Sequence, residues 1–237
     1  GYNNSGQLGL NNTTYYSSPK QVGALTNWSS VSCGAAHTVS IKTDGTLWSW
    51  GNNNSGQLGQ GNTTNYSSPK QVGALTNWSS VSGGYLHTVS IKTDGTLWSW
   101  GRNNQGQLGL NNITDYSSPK QVGALTNWLS VSCGQYYTVS IKTDGTLWSW
   151  GRNQFGQLGL GVVTNYSSPK QVGALTNWSS VSCGYFHTVS IKTDGTLWSW
   201  GYNVYGQLGL GNVTNYSSPK QVGALTCLLY TSPSPRD

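Results

Sequence analysis

One unit of 50 residues recurs along the chain without insertion or deletion. The segment SSPKQVGALTNW spans Ser17–Trp28, returns unchanged from Ser67, Ser117 and Ser167, and runs as far as Thr226 from Ser217. A second segment, TVSIKTDGTLWSWG, starts at Thr38, Thr88, Thr138 and Thr188. Residues 1–226 therefore hold about four and a half units. A fixed period of this length means a repeat architecture, in which each unit buries its apolar surface against its neighbours.

The pattern inside a unit is all strand. Ser40–Thr43 leads into Asp44-Gly45 and then Thr46–Trp50. Asp-Gly between alternating segments predicts a two-residue type I′ hairpin turn. That turn places Thr43 opposite Thr46, Ile41 opposite Trp48 and Val39 opposite Trp50. Val39, Ile41, Trp48 and Trp50 would then share one face, and Ser40, Lys42, Leu47 and Ser49 the other. Two further strands are expected before the hairpin, over Pro19–Val22 and Trp28–Cys33. Four short antiparallel strands cannot bury a tryptophan face alone, whereas sheets packed radially can. The expected fold is all-β, a β-propeller of four-stranded antiparallel blades forming an incomplete ring. A β-helix is the second architecture considered, but its coils are shorter and parallel.

Composition narrows the function. Only 8% of residues are charged, yet 12 Trp and 14 Tyr supply ample apolar area, so the chain is not a disordered one. The net charge of +6 comes from nine Lys and three Arg against six Asp, with no Glu. Most of the lysines fall at two columns of the repeat, so copying the unit copies the charge, and a nucleic-acid partner is not favoured. There is no Met, the chain opens inside a unit, and no apolar run of membrane-spanning length occurs.

Several spaced elements return together in each unit. They are Gly51-x-Asn53-x-x-Gly56-Gln57-Leu58-Gly59, Pro69 and Val72, Gly84-x-x-His87, Asp94-Gly95 and Trp100-Gly101. This set resembles the regulator of chromosome condensation repeat, and the resemblance covers residues 1–226. It implies a seven-bladed propeller, for which about 350 residues would be needed at this period. The chain thus reads as part of a longer array, with a five-bladed ring as the alternative. Residues 227–237 abandon the pattern as CLLYTSPSPRD, which resembles a read-through segment and is expected to be disordered.

Catalytic chemistry has few candidates. Asp44, Asp94, Asp144 and Asp194 are turn residues. His37, His87 and His187 share a column that holds Tyr at position 137, which argues against a metal ligand or base and for a hydrogen-bonded blade residue. Cys33, Cys133 and Cys183 share a column with Gly83, and equivalent positions on adjacent blades, about 10 Å apart, are too distant for a disulfide. Gly-Gln-Leu-Gly lacks the Lys-Ser/Thr of a phosphate loop, and its glycines are expected at turns with unusual φ. No catalytic, cofactor or metal site is predicted.

The units differ from one another in three stretches. One follows Trp-Gly, one follows Gly-Gln-Leu-Gly, and one follows the cysteine column. With strands alternating in direction, all three emerge at one end of every blade, and the constant Asp-Gly and Gly-Ala-Leu-Thr-Asn loops at the other. A fixed frame with variation at one end is how a repeat protein presents a binding surface. The candidate partner-binding residues are Tyr85, Leu86, Gln135, Tyr136, Tyr185, Phe186, Arg102, Arg152, Phe155, Tyr202 and Tyr205. The expected function is a non-catalytic protein-interaction scaffold. The family resemblance adds an exchange factor for a small GTPase as an alternative, although the inserted element that such members use has no counterpart among units of equal length. An enzyme-inhibitor propeller and a carbohydrate-binding one complete the alternatives.

Overall fold

The structure is a computed structural model and describes residues 1–223. The tail over 227–237, expected to be disordered, lies outside the described residues. Those residues form four sheets of four antiparallel strands, with no helix among them. Blade one contains β1 (Trp28–Cys33), β2 (His37–Lys42), β3 (Leu47–Gly51) and β4 (Tyr66–Gln71). Blade two contains β5 (Trp78–Gly83), β6 (His87–Lys92), β7 (Leu97–Gly101) and β8 (Tyr116–Gln121). Blade three contains β9 (Trp128–Cys133), β10 (Tyr137–Lys142), β11 (Leu147–Gly151) and β12 (Tyr166–Gln171). Blade four contains β13 (Trp178–Cys183), β14 (His187–Lys192), β15 (Leu197–Gly201) and β16 (Tyr216–Gln221). Strand order within each sheet follows the chain, as in propeller blades.

The hairpin turn differs from the sequence expectation. Gly45 alone takes positive φ, at 75°, and its N–H donates to the Lys42 carbonyl at 2.9 Å. The Lys42 N–H donates to the Thr46 carbonyl at 3.0 Å. The loop is therefore three residues, Thr43-Asp44-Gly45, a type I turn closed by a glycine bulge. Asp44 avoids the left-handed conformation because its carboxylate is engaged locally, accepting the Thr46 N–H at 2.9 Å and the Thr46 hydroxyl at 2.6 Å. The extra residue shifts the register by one. Ile41 pairs with Leu47, Ser40 with Trp48, Val39 with Ser49 and Thr38 with Trp50. One face thus carries His37, Val39, Ile41, Leu47 and Ser49, and the opposite face Thr38, Ser40, Lys42, Trp48 and Trp50.

The fourth strand also differs. It starts earlier than expected, at Tyr66, and pairs with the preceding Trp-Ser-Trp strand, Ser49 with Lys70 and Trp48 with Gln71. A blade therefore ends, rather than begins, with the Pro-containing strand, and Pro69 sits on an outer strand where its missing N–H is tolerated. The first copy of this segment, around Pro19–Val22, forms no strand.

The corrected faces explain the core. The first face of each blade packs on the second face of the next. Ile41, Leu47 and Val72 of blade one close over Trp78 and Trp100 of blade two. The same residues recur between blades two and three and between three and four. β2, β6 and β10 are buried at every position, β2 because the Gln7 segment lies on its second face, where the Gln7 carbonyl accepts from Thr38 Oγ1 at 2.9 Å. The histidine column seals these interfaces: His37 Nε2 lies 3.1 Å from Thr88 Oγ1, and His87 Nε2 lies 3.2 Å from Thr138 Oγ1.

Candidate functional site

Because β1 runs toward one end and β2 back, the loops of residues 34–36 and 52–65 share one end of blade one. Hydrogen bonds tie them there, with the Asn52 N–H donating to the Ala36 carbonyl at 2.8 Å. The Asp-Gly turn and the Asn-containing connection meet at the opposite end, where the Thr43 N–H donates to the Asn27 carbonyl at 2.9 Å. The variable stretches therefore gather at one end of the blades, as their spacing predicted.

A buried asparagine holds each long loop in place. Asn153 Oδ1 accepts the Leu158 N–H at 2.9 Å, and its Nδ2 donates to the Val162 carbonyl at 2.8 Å. Its own N–H donates to Asn165 Oδ1 at 2.7 Å; in the preceding blade the equivalent Asn103 N–H donates to Asp115 at 2.7 Å. The Trp-Gly-x-Asn motif is thus a loop clamp, and the variable residues on either side of it project from a rigid base.

Those residues form a continuous aromatic band over blades two to four. Tyr85 contacts Tyr136 at 5.5 Å and Tyr185 at 6.1 Å between ring centroids. Tyr185 packs on Phe186 at 4.6 Å, Phe186 on Phe155 at 5.1 Å, and Phe155 on Tyr202 at 4.7 Å. Tyr205 extends the band from Tyr202 at 6.2 Å and is 87% exposed. Arg152 lies over Phe186 at 5.1 Å and over Tyr136 at 5.8 Å, and Arg102 over Tyr136 at 5.8 Å. Arg152 also donates from Nε to Gln154 Oε1 at 3.0 Å, so the cation is held both over the rings and at its edge. Gln135 joins Arg152 to Tyr185, accepting from Arg152 Nη1 at 3.4 Å and donating to the Tyr185 hydroxyl. Burial and the neighbouring Tyr85 and Tyr136 raise the Tyr185 phenol above its ordinary value, so it stays protonated. Leu86 is half-buried and contributes through its backbone, its carbonyl accepting the Arg102 N–H at 2.8 Å.

The sequence reading did not identify a cavity beside this band. About 300 Å³ in volume, it is lined by the Cys33, Gly83, Cys133 and Cys183 column, the following glycines, and Ala35, Tyr85, Gln135 and Tyr185. The signal was present, since this column ends the first strand of every sheet and is followed each time by a glycine, where a Cβ would strike the His or Tyr ring three residues on. Burial pushes the Cys133 thiol up to about 12 and the Cys183 thiol up to about 11, so neither supplies a thiolate near neutrality. No group of three metal-ligating side chains occurs among the described residues. No helix among them is long and apolar enough to cross a membrane.

Burial depresses the His37 imidazole to about 4 and that of His87 to about 3. Tyr137 takes over the column in blade three, its hydroxyl donating to the His187 carbonyl and accepting from Thr188 Oγ1 at 3.2 Å. The four Asp carboxylates of the hairpin turns are held below their ordinary values by the following Thr hydroxyl and N–H. Each of these groups is accounted for by the fold.

Comparison with solved structures gives propellers. The chain superposes on the crystal structure of Prp20p from Saccharomyces cerevisiae with a TM-score of 0.75 and 23% identity, over 83% of this chain and 50% of that one. It superposes on human WBSCR16 with a TM-score of 0.80 and 23% identity, over 93% of this chain and 60% of that one. The chain thus spans between half and three-fifths of these neighbours' lengths. Comparison with curated protein sequences gives no match. The family profile described as the RCC1-like domain matches residues 1–231, and the chain belongs to that family.

Proposed function

We propose that the chain is a protein-interaction scaffold whose docking surface is the aromatic and arginine band at the variable-loop end. The observation that carries this is that variable residues from two of the three stretches, the one after Trp-Gly and the one after the cysteine column, touch one another. Tyr136, Tyr85, Tyr185, Phe186, Phe155 and Tyr202 come from three blades and make one surface, while the strands beneath them barely change. Large rings paired with arginines are the residue types that dominate interface energies. Family membership supports the same reading. Prp20p is described with its binding to Gsp1p and histones, and yeast RCC1 (Prp20) in complex with Kap60.

Titration of the chain with Gsp1p, Kap60 and histones tests this proposal. The expected result is saturable binding to one of them, weakened at least tenfold by Tyr185→Ala and by Arg152→Ala, about 1.4 kcal/mol or more each. Leu125→Ala, at the opposite end and 49% exposed, should leave the affinity unchanged. Loss of affinity with Leu125→Ala alone would reverse the assignment of faces. A nucleotide-release assay with a small GTPase separates docking from exchange. No acceleration is expected, since all four described blades have equal repeat lengths and carry no inserted element.

A further inference from the structure

The position that follows each Trp-Gly pair holds Asn52 in blade one, Arg102 in blade two, Arg152 in blade three and Tyr202 in blade four. Five residues further on, every unit has a glutamine. One hydrogen bond fixes how that glutamine is turned. Oε1 of Gln57, Gln107 and Gln157 accepts the N–H of Ser55, Gln105 and Phe155 respectively, at 2.9–3.0 Å. Each amide therefore points its Nε2 the same way. In blade one Nε2 meets an acceptor, Asn52 Oδ1, at 2.6 Å. An arginine side chain carries no acceptor. Gln107 and Gln157 Nε2 are accordingly buried without a partner, in residues that are 0% exposed. A buried donor left unpaired costs stability. The fold alone would thus favour asparagine at positions 102 and 152, and a residue that breaks a local rule without local gain is expected at a functional position.

The charges around the two arginines are a second observation. Both guanidinium groups lie over one ring, Tyr136, at 5.8 Å. Arg152 is fixed further by Gln154 Oε1, to which its Nε and Nη2 donate at 3.0 and 2.5 Å. Among the described residues, neither arginine pairs with a carboxylate. Asp44, Asp94, Asp144 and Asp194 sit in the hairpin turns at the opposite end. Asp115 lies at the arginine end, but its carboxylate is spent on the Asn103 N–H at 2.7 Å. Two cations over one ring repel each other, and a bound anion offsets that repulsion. The rings themselves are turned into one another, Tyr185 on Phe186 at 80° and Phe155 on Phe186 at 60°. Rings packed edge to face offer few open faces for nucleobases to stack on, whereas a planar guanidinium matches a carboxylate.

We propose that Arg102 and Arg152 are a carboxylate-reading pair, and that the segment docking at the variable-loop end is an acidic peptide whose Asp or Glu side chains meet the two guanidinium groups beside Tyr136. This rests on the reading of that end as the docking surface and adds the chemistry of the partner. Gln154 and Gln135 hold Arg152 in place before the partner arrives, so little ordering is left to be done on binding. Arg102 has the ring contact alone and contributes charge. Asn52 and Tyr202, at the same position in the flanking blades, carry no charge, so the acidic segment crosses the boundary between blades two and three.

Fluorescence anisotropy of a labelled octaglutamate peptide, titrated with the whole chain, tests the pair. The expected result is saturable binding that added salt weakens, and that Arg102→Asn and Arg152→Asn each weaken about tenfold or more. Lys120→Ala removes the same charge from β8 and should change the affinity by about twofold or less. Arg102→Asn has a second signature. Asparagine restores the acceptor that Gln57 has in blade one, so the urea midpoint should rise while binding is lost. A chain that does not bind octaglutamate overturns the carboxylate pair, as does an affinity that Lys120→Ala lowers equally. A urea midpoint lowered by Arg102→Asn makes that arginine a structural residue and also overturns it. Oligothymidylate bound more tightly than octaglutamate through the same arginines overturns the acidic peptide in favour of a nucleic acid. A protein partner lost with Tyr185→Ala but kept by both arginine variants overturns this inference and leaves the docking surface standing. A partner indifferent to Tyr185→Ala overturns the surface itself.

Discussion

At the scale of single residues, one glycine sets which side chains meet across each hairpin. Gly95 sits at φ +75°, and a Cβ added there would lie 2.0 Å from the Thr126 carbonyl oxygen. Gly95→Ala should cost at least about 1–3 kcal/mol from the backbone conformation alone, with the collision adding to it. Urea unfolding measures this, and a loss below about 0.5 kcal/mol would mean that the bulge does not constrain the fold. The buried histidines give the molecule a defined acid response. His87 is depressed from 6.5 to about 3 and His37 to about 4, so on acidification the unfolded chain takes up these protons first. Stability should therefore fall as the pH drops below about 6.5 and level off near 3–4, by roughly 3–5 kcal/mol per histidine. The lowered Asp carboxylates act in the same direction but only in the more acidic range below their ordinary 3.8. His87→Tyr, the exchange that Tyr137 already represents, should flatten the urea midpoint between pH 7 and 5; an unchanged slope would place the acid sensitivity elsewhere.

At the scale of the blade, stability resides in the tryptophan interfaces and not in the loops. Trp150 is fully buried against Val89, Ile91 and Leu97, and Trp150→Ala should cost about 3–5 kcal/mol. Tyr205→Ala, at an 87% exposed position, should change stability by about 0.5 kcal/mol or less. Equal losses at the two positions would contradict this division. The same division explains what could be read without coordinates. Strand spacing, the recurring Trp-Ser-Trp and the alternation of strand direction were enough for four-stranded blades and for the gathering of the variable loops at one end. The hairpin register was not legible, because Asp-Gly serves two loops that differ by one residue, and the choice rests on the Asp44–Thr46 hydrogen bonds. Assigning the Pro-containing strand to the wrong blade has a related cause. The repeat boundary is arbitrary in sequence, and only pairing such as Ser49 with Lys70 fixes it. In the candidate site, Tyr85, Tyr185 and Phe186 stood out by their variation, but the cavity beside them did not, since only the packing of blades brings Ala35, Tyr85, Gln135 and Tyr185 together over the Cys and Gly column.

At the scale of the whole molecule, near-identical blades make a frame on which only one end is individual. The described residues carry two charged side chains in the aromatic band, Arg102 and Arg152, each over a ring. The opposite end repeats the same loop in every unit, with Leu75, Leu125 and Leu175 about half exposed. A partner that reads one end of such a frame must cross blade boundaries, because Tyr85, Gln135 and Tyr185 come from successive blades and touch. The most direct measurement is a hydrogen-exchange footprint of the chain in complex with the protein that saturates it. Protection is expected over residues 85–86, 102–105, 135–136, 152–155, 185–186 and 202–205 together, with residues 93–96 and 123–127 unchanged. Protection of the Asp-Gly and Gly-Ala-Leu-Thr-Asn loops, with the aromatic band left open, would contradict the account.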